Sequence, residues 1–284
     1  MTHLAEITPH GLITYWLLSE RTDRPTLVAL AERLSLPMPP TREPATALRS
    51  ALYSLHEDSR HLVRPLSERG MFALVEETVV EHGTGPALDY VMLLRASVDN
   101  QSGALTIELS PEADPDTSNQ IRAAYAAECQ GLPVASVAVW LCTILSKLHA
   151  VSLRDAGGVY WLPPDAEERW TQVVAGVEAA PTRGLGSRIY LLRTTLTASA
   201  VVAVHDALAR EITTEAKRIQ ADIAGGRLKQ RALEHRREQS AALVEKARHY
   251  EQILGQSLEG LRKLAETAAV QQAASGLAVL ALPM

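Results

Sequence analysis

The chain has 284 residues, 46% of them hydrophobic and only 4% aromatic, and a formal net charge of −5 at pH 7. This composition excludes a largely disordered chain and predicts one or two domains with an aliphatic, helix-rich core. Two cysteines, and no signal-peptide pattern in the first ten residues, predict a cytoplasmic protein with reduced thiols. The longest apolar run, residues 134–145, is shorter than the roughly 20 residues that cross a bilayer, so we expect no membrane role.

The first part of the chain shows both helical and strand patterns. Residues 11–20 form an apolar stretch that fits either a buried strand or a short helix. Helices are predicted at 26–34 and 45–56, because apolar side chains recur there at helical spacing on either side of a proline-dense connector. A hairpin of two strands, 61–65 and 71–81, follows.

Two helices followed by a hairpin are the element order of a winged helix, which makes residues 11–82 a possible DNA-reading part. The connector at residues 37–44 is longer than the turn of about three or four residues that joins the helices of a helix-turn-helix. Arg49 is the single base-reading cation of the second helix, and the hairpin carries several glutamates. A purely structural role for this region therefore stays open.

The rest of the body alternates between strands and helices. Alternating polarity predicts two more strands and joins them to the hairpin in one meander, and later segments alternate helix, strand, helix and strand. We therefore expect an α+β body over residues 1–195, in which an antiparallel-containing mixed sheet, with the meander in it, packs with helices. The predicted strands are 91–98, 104–109 and 188–194, and the predicted helices are 116–129, 133–151 and 164–179.

Residues 196–284 are predicted to form long C-terminal helices. Apolar residues recur at helical spacing from Val201 to Ile223, and a heptad-like series runs from Leu243 to Ala268 after a break at Gly225-Gly226. This pattern predicts a helical hairpin or a coiled coil, followed by an apolar tail. Whether the helices pack within one chain or between chains stays open.

The motif R-D-A-G-G-V-Y-W-L-P begins at Arg154 and contains the pair Gly157-Gly158. A phosphate-binding loop needs Lys and Ser or Thr at the start of a following helix. Here a strand with two aromatic residues follows instead, so the glycines are predicted to form a turn from helix to strand.

This motif, together with the helix, the Ile- and Tyr-containing strand and the long charged helix after it, resembles a family of uncharacterised bacterial and phage-encoded proteins. The resemblance covers residues 115–225. It implies a phage-related or mobile-element accessory protein of the bacterial cytoplasm, and it implies no activity and no catalytic residue.

Aromatic and basic residues of the second half carry the functional prediction. Tyr160-Trp161 and Tyr190 lie on neighbouring predicted strands and are candidates for a platform that stacks single-stranded bases, although alternation places one of Tyr160 and Trp161 in the core. Residues 210–249 hold ten basic against six acidic side chains, and such a mixed face is also typical of a merely solvated helix. The predicted nucleic-acid-binding residues are Arg154, Tyr160, Trp161, Arg188, Arg193, Arg231, Arg236 and Arg237.

No catalytic constellation is recognisable, and neither a cofactor nor a metal is predicted. The cluster His56, Glu57, Asp58 and His61 matches no compact ligand set, which favours an ordinary helix end. We therefore expect a non-enzymatic, nucleic-acid-associated accessory protein of a bacterial or phage system that oligomerises through its C-terminal helices. The alternative is a structural self-assembling protein with no nucleic-acid role.

Overall fold

The structure is a computed structural model that describes residues 10–56, 60–82, 85–155, 157–224, 230–255 and 258–267. Residues 259–267 are helical, and a 3₁₀ turn spans Pro164–Ala166. The other described elements are β1 (His10–Leu17), β2 (Arg21–Asp23), α1 (Arg24–Arg33), α2 (Pro44–Leu55), β3 (His61–Pro65), β4 (Met71–His82), β5 (Gly85–Val98), β6 (Leu105–Leu109), α3 (Thr117–Gln130), β7 (Gly131–Pro133), α4 (Val134–Lys147), β8 (Val151–Ser152), β9 (Tyr160–Leu162), α5 (Glu167–Glu178), β10 (Thr182–Arg183), β11 (Arg188–Thr195), α6 (Ala198–Ala224) and α7 (Gln230–Leu254).

The chain divides into two compact units. Described residues of the first unit fall within 1–17, 142–175 and 188–284, and those of the second within 18–141 and 176–187. This division does not follow the boundary predicted near residue 195, because the N-terminal strand joins the same unit as the C-terminal helices. The Gly225-Gly226 break and the apolar tail lie outside the described residues.

The α+β class is confirmed, but the expectation of one mixed sheet is wrong. The described strands form three sheets, in the orders β11-β1-β9-β8, β10-β2-β7 and β3-β4-β5-β6, and each recorded pair is antiparallel. The meander therefore forms a sheet of its own. Its short connections let each strand pair with the next one, whereas β1 pairs with two strands that come much later in the chain.

In the first unit, β1 resolves the ambiguity of the N-terminal apolar stretch in favour of a strand. Its eight residues pair with β11 from His10↔Thr195 to Leu17↔Arg188, and its middle pairs with β9 on the other side. Being paired on both edges, the strand buries Leu12 and Thr14, and the indole Nε1 of Trp170 on α5 donates to Thr14 Oγ1 at 3.1 Å.

Gly11 of β1 lies directly under the indole of Trp161. A Cβ atom at Gly11 would come within 2.3 Å of the Trp161 ring, and Trp161 is only 1% exposed, so neither side can give way. We expect Gly11→Ala to lower the free energy of unfolding by about 2 kcal/mol or more. Chemical denaturation checks this against Gly186→Ala, where a Cβ meets nothing within 4 Å, and equal losses in the two variants would contradict the packing.

The long helices of the first unit share one hydrophobic core with its sheet. Apolar residues of α6 and α7 pack in the same cluster as Val151 and Trp161. The heptad-like positions of α7 are therefore buried within a single chain. The members from the two helices are Val204, Ala207, Leu208, Ile212, Ala216, Ile219, Leu243, Ala247, Tyr250 and Leu254.

In the second unit, the predicted helix near Thr26 begins at Arg24, because the Asp23 carboxylate accepts a hydrogen bond from the Thr26 backbone N–H at 2.8 Å and caps the first turn. A hydrophobic core of this unit joins α2, α3 and the meander through Leu48, Leu94 and Ile121. The predicted hairpin of β3 and β4 is present, but β4 also pairs with β5 along its whole length. The hairpin is thus part of a four-stranded sheet.

Within the described part of the chain, no helix has both the length and the apolar character that spanning a bilayer requires.

Candidate nucleic-acid interface

The glycine motif forms a hairpin turn between β8 and β9 of the first unit. Gly157 has a φ of +97°, a conformation that favours glycine, and the Leu153 N–H donates to the Val159 carbonyl at 3.0 Å across the turn. The Arg154 guanidinium lies against this turn, since a Cβ at Gly157 would meet its Cζ at 3.5 Å. The expectation of a turn from helix to strand is therefore wrong in one respect: the glycines lie in a turn between two strands, because the short strand β8 follows α4.

Arg154 faces an open groove of about 670 Å³ between this turn and the helices α6 and α7. Arg210 of α6 lies in the same groove and forms a 3.5 Å ion pair with Asp155. Arg236 donates to the Gln239 side chain at 2.6 Å, and Gln239 also lines the groove. The remaining polar lining residues are Ser146, Ser152, Glu211, Thr214 and Glu215.

The acidic groups of the groove are neutralised by neighbours. Glu211 pairs with Lys246, Glu215 pairs with Arg218, and Asp155 pairs with Arg210. Among the described residues, Arg154 has no carboxylate partner. Although the chain has a net charge of −5, the groove therefore presents the Arg154 guanidinium without a matching carboxylate among the described residues. The Arg210 guanidinium beside it is held only in a weak, exposed ion pair with Asp155.

Two side chains of α7 bond to the backbone of the turn that follows α4. This helix ends earlier than predicted because His149 adopts a positive φ of 56° and turns the chain. Lys246 Nζ donates to the Ala150 carbonyl at 2.6 Å, and the Tyr250 hydroxyl donates to the His149 carbonyl at 2.8 Å. These bonds satisfy two backbone carbonyls of the turn after α4, and the lysine charge is favourable near a helix C-terminus.

Lys246 is only 5% exposed, and its Nζ also donates to Glu211 Oε1 at 2.5 Å. Burial lowers the pKa of Lys246, and the neighbouring Glu211 carboxylate opposes that shift. The ammonium is enclosed by its two acceptors, so its role in the site is to hold α7 in place.

The structure separates the predicted aromatic platform. Trp161 is the core member of the Tyr160-Trp161 pair, as the alternation predicted, and its ring lies 5.6 Å from that of Tyr250. Tyr160 pairs with Thr14, whereas Tyr190 pairs with the next residue of β1, Tyr15. Because adjacent residues of a strand point to opposite faces, Tyr160 and Tyr190 lie on opposite faces of the sheet.

Each of these two tyrosines has a partner of its own. Tyr160 stacks on Trp16 with ring centroids 5.5 Å apart, and its hydroxyl hydrogen-bonds to Cys142 Sγ at 3.1 Å. Burial, followed by that hydrogen bond, raises the pKa of Tyr160. Tyr190 stacks on Tyr15 at 4.7 Å.

The predicted arginines divide between the groove and other surfaces. Arg193 donates to Glu167 Oε1 at 2.6 Å, and this hydrogen bond lowers the pKa of Glu167, so its charge is matched. Arg188 is exposed at the end of β11, opposite Leu17. Arg231 and Arg237 are exposed on α7 outside the groove. Only Arg154 directly, and Arg236 through Gln239, come together at the groove.

Sequence reasoning missed one exposed apolar surface of the first sheet. Tyr15 and Leu17 of β1 and Tyr190 and Leu192 of β11 lie on the same face by the strand register, and all four are exposed. We call these four residues the apolar sheet face. In the sequence, the two apolar residues of each strand are two positions apart, which places them on one face of that strand. The β1–β11 register is needed to show that the two strands present these residues on the same face of the sheet.

Among the described residues, no group of three or more histidine, cysteine or acidic side chains is placed to hold a metal ion. Glu57 and Asp58, which belong to the His56–His61 cluster, lie outside the described residues.

Fold and groove together define an α+β protein of two units whose C-terminal helices line a polar groove. The model of a family of unknown function, DUF6744, matches residues 11–281, and the chain belongs to this family. No curated protein and no solved structure matches the chain.

Proposed function

We propose that this protein is a non-enzymatic, nucleic-acid-associated accessory protein of a bacterial or phage system, and that it holds the nucleic-acid backbone in the groove. The observation that carries the proposal is the Arg154 guanidinium, which has no carboxylate partner in the described part of the chain and lies in the groove that Arg210 also lines. Both cysteines are free thiols, which fits the cytoplasm.

The ligand is identified by the donors that the groove offers. Arg154 and Arg210 provide guanidinium groups, and Thr214 provides a hydroxyl group, all of which suit phosphate oxygens. Such contacts position a backbone and carry no sequence information. We therefore expect binding that is independent of sequence and sensitive to salt.

The C-terminal helices are part of the proposal, as an antiparallel hairpin within one chain. Two ion pairs support this arrangement, since Asp222 near the end of α6 pairs with Arg236 near the start of α7, and Glu211 pairs with Lys246 further along both helices. The apolar positions of α7 are buried in the same chain. Oligomerisation through these positions would require the two helices to separate.

The decisive experiment compares a groove variant with a control of equal charge. Fluorescence anisotropy with mixed-sequence single-stranded and double-stranded DNA at two salt concentrations reports affinity and its salt dependence. For Arg154→Gln/Arg210→Gln we expect an affinity loss of about tenfold or more, and a salt slope lower by about 2. The control Arg33→Gln/Arg69→Gln removes two exposed arginines of the second unit.

The control variant is expected to bind within about twofold of the wild-type affinity, because neither of its arginines lines the groove. If both double variants lose affinity equally, the arginines act through net charge alone and the groove is not the site. If the wild-type protein shows no salt-sensitive binding, the nucleic-acid role is wrong.

The apolar sheet face favours a second candidate function, self-assembly with a second copy of this chain. Leu17 and Leu192 are 64% and 51% exposed, an unusual exposure for two leucines beside a stacked tyrosine pair. A two-fold axis would bury this surface against itself. A wild-type dimer that Leu192→Glu converts to a monomer would favour assembly, and a monomeric wild-type protein would exclude it.

A further inference from the structure

The second unit contains an open cavity that the proposed function does not use. Its volume is about 550 Å³, and its lining combines basic, hydroxyl and imidazole side chains from several elements of that unit. The lining residues are Glu20, Arg21, Ser50, Tyr53, Ser54, His56, His61, Glu128 and Arg183.

A buried carboxylate organises the cationic side of this cavity. Glu128 is only 5% exposed and accepts hydrogen bonds from both Arg21, at 3.0 Å, and Arg42. Two guanidiniums on one carboxylate leave one positive charge in excess. Arg183 adds another and has no acidic partner among the described residues, while Glu20 is the one further acid of the lining.

Two hydrogen-bond donors of the cavity lack an acceptor among the described residues. The Arg21 Nε–H is buried and has no acceptor among the described residues. Ser50 Oγ accepts a hydrogen bond from Arg42 Nη2 at 2.6 Å, which leaves the Ser50 hydroxyl hydrogen available to donate. A ligand in the cavity could therefore accept a hydrogen bond from the Ser50 hydroxyl and from the exposed Arg183 guanidinium.

We propose that this cavity binds the phosphate group of a small phosphorylated molecule. A phosphate anion supplies several acceptor oxygens at once and is attracted by the guanidiniums of Arg21, Arg42 and Arg183, which exceed the carboxylates of Glu128 and Glu20 by one charge. A metal cation would meet this excess positive charge unfavourably. The half-exposed ring of Tyr53 at the cavity, with Arg49 5.5 Å from its centroid, offers an apolar surface to the rest of the molecule.

Isothermal titration calorimetry of the full chain with inorganic phosphate tests the site, with sodium chloride at matched ionic strength as the blank. A parallel titration with a nucleoside 5′-monophosphate distinguishes free phosphate from a phosphate carried on a larger molecule. We expect saturable binding of one phosphate per chain, and tighter binding of the nucleotide if Tyr53 contacts it. Absence of saturable binding of both probes would overturn the proposal.

Arg183→Gln is the variant of choice, because Arg183 is exposed and is not one of the arginines that bond to Glu128. We expect roughly tenfold weaker phosphate binding in Arg183→Gln. A second variant, Ser50→Ala, tests the hydroxyl donor and is expected to weaken binding severalfold.

The matched control is Arg33→Gln, which removes an exposed arginine of the same unit outside the cavity and is expected to bind phosphate as the wild type does. Equal affinities in Arg183→Gln, Ser50→Ala and Arg33→Gln would overturn the assignment to this cavity. Since the DNA-binding variants change the other unit, the two proposals can fail separately.

Discussion

Glu128→Gln is expected to lower the free energy of unfolding by about 3 kcal/mol. The substitution keeps the shape of the side chain and removes its charge, so the Arg42 guanidinium, whose side chain is only 8% exposed, loses its counter-ion in a buried position. Arg21, with a more exposed side chain, can regain water. Breaking one side of a buried ion pair is costly because the remaining charge stays desolvated.

Urea denaturation followed by far-ultraviolet circular dichroism measures this loss. Glu108→Gln is the matched control, because Glu108 is 67% exposed and its distance to Arg95 is 3.9 Å. We expect the control to change the unfolding free energy by no more than about 0.5 kcal/mol. Coincident transitions of the two variants would show that the Glu128 cluster contributes little to the fold.

Lys246→Met is expected to lower the free energy of unfolding by about 2 kcal/mol. Methionine retains the apolar stem but donates no hydrogen bond, so the Ala150 carbonyl at the end of α4 loses the donor that satisfies it. Glu211, whose side chain is 35% exposed, can be hydrated after the loss. Lys263→Met, which removes an exposed lysine paired with Glu259 on the same helical segment, should leave the stability nearly unchanged.

The pH dependence of the unfolding free energy near pH 10 distinguishes the contribution of Lys246 from that of its neighbour Tyr250. Burial raises the pKa of Tyr250 well above 10.0, so above pH 10 the unfolded chain loses a proton that the folded chain keeps, and stability falls as pH rises. Burial lowers the pKa of Lys246 below 10.5. Between the pKa of Lys246 in the folded chain and 10.5, its value in the unfolded chain, the unfolded chain holds the extra proton, so stability rises with pH.

The two contributions oppose each other in the wild-type protein. Lys246→Met removes the rising contribution, so its stability should fall more steeply above pH 10 than that of the wild type, and Tyr250→Phe should fall less steeply. Unfolding midpoints measured between pH 8 and about 11 check the order of the three slopes. Identical slopes in all three proteins would contradict the burial of these groups in the native state.

Local patterns in the sequence predict most of the elements. The helix near Thr26, the hairpin and the meander strands all follow from periodicity, prolines and turn residues, because these signals act over a few residues. The length of α4 was overestimated, since the sequence does not show that His149 takes a left-handed conformation there.

Long-range pairing decides what the sequence could not show. β1 and β11 are far apart in the chain, and their register alone places Tyr190 beside Tyr15 and away from Tyr160. The groove has the same origin: the glycine turn marked Arg154, but Arg210 reaches it only because α6 packs against β8. Charged residues such as Lys246 and Glu128 looked like surface residues, because nothing local shows that a partner from elsewhere buries them.

The mass of the purified protein, measured by multi-angle light scattering with and without mixed-sequence DNA at low and moderate salt, distinguishes nucleic-acid binding from self-assembly. We expect a 30.8 kDa monomer that gains mass on DNA at low salt and loses that gain at moderate salt. A closed oligomer whose mass is indifferent to DNA would contradict the nucleic-acid role and favour self-assembly.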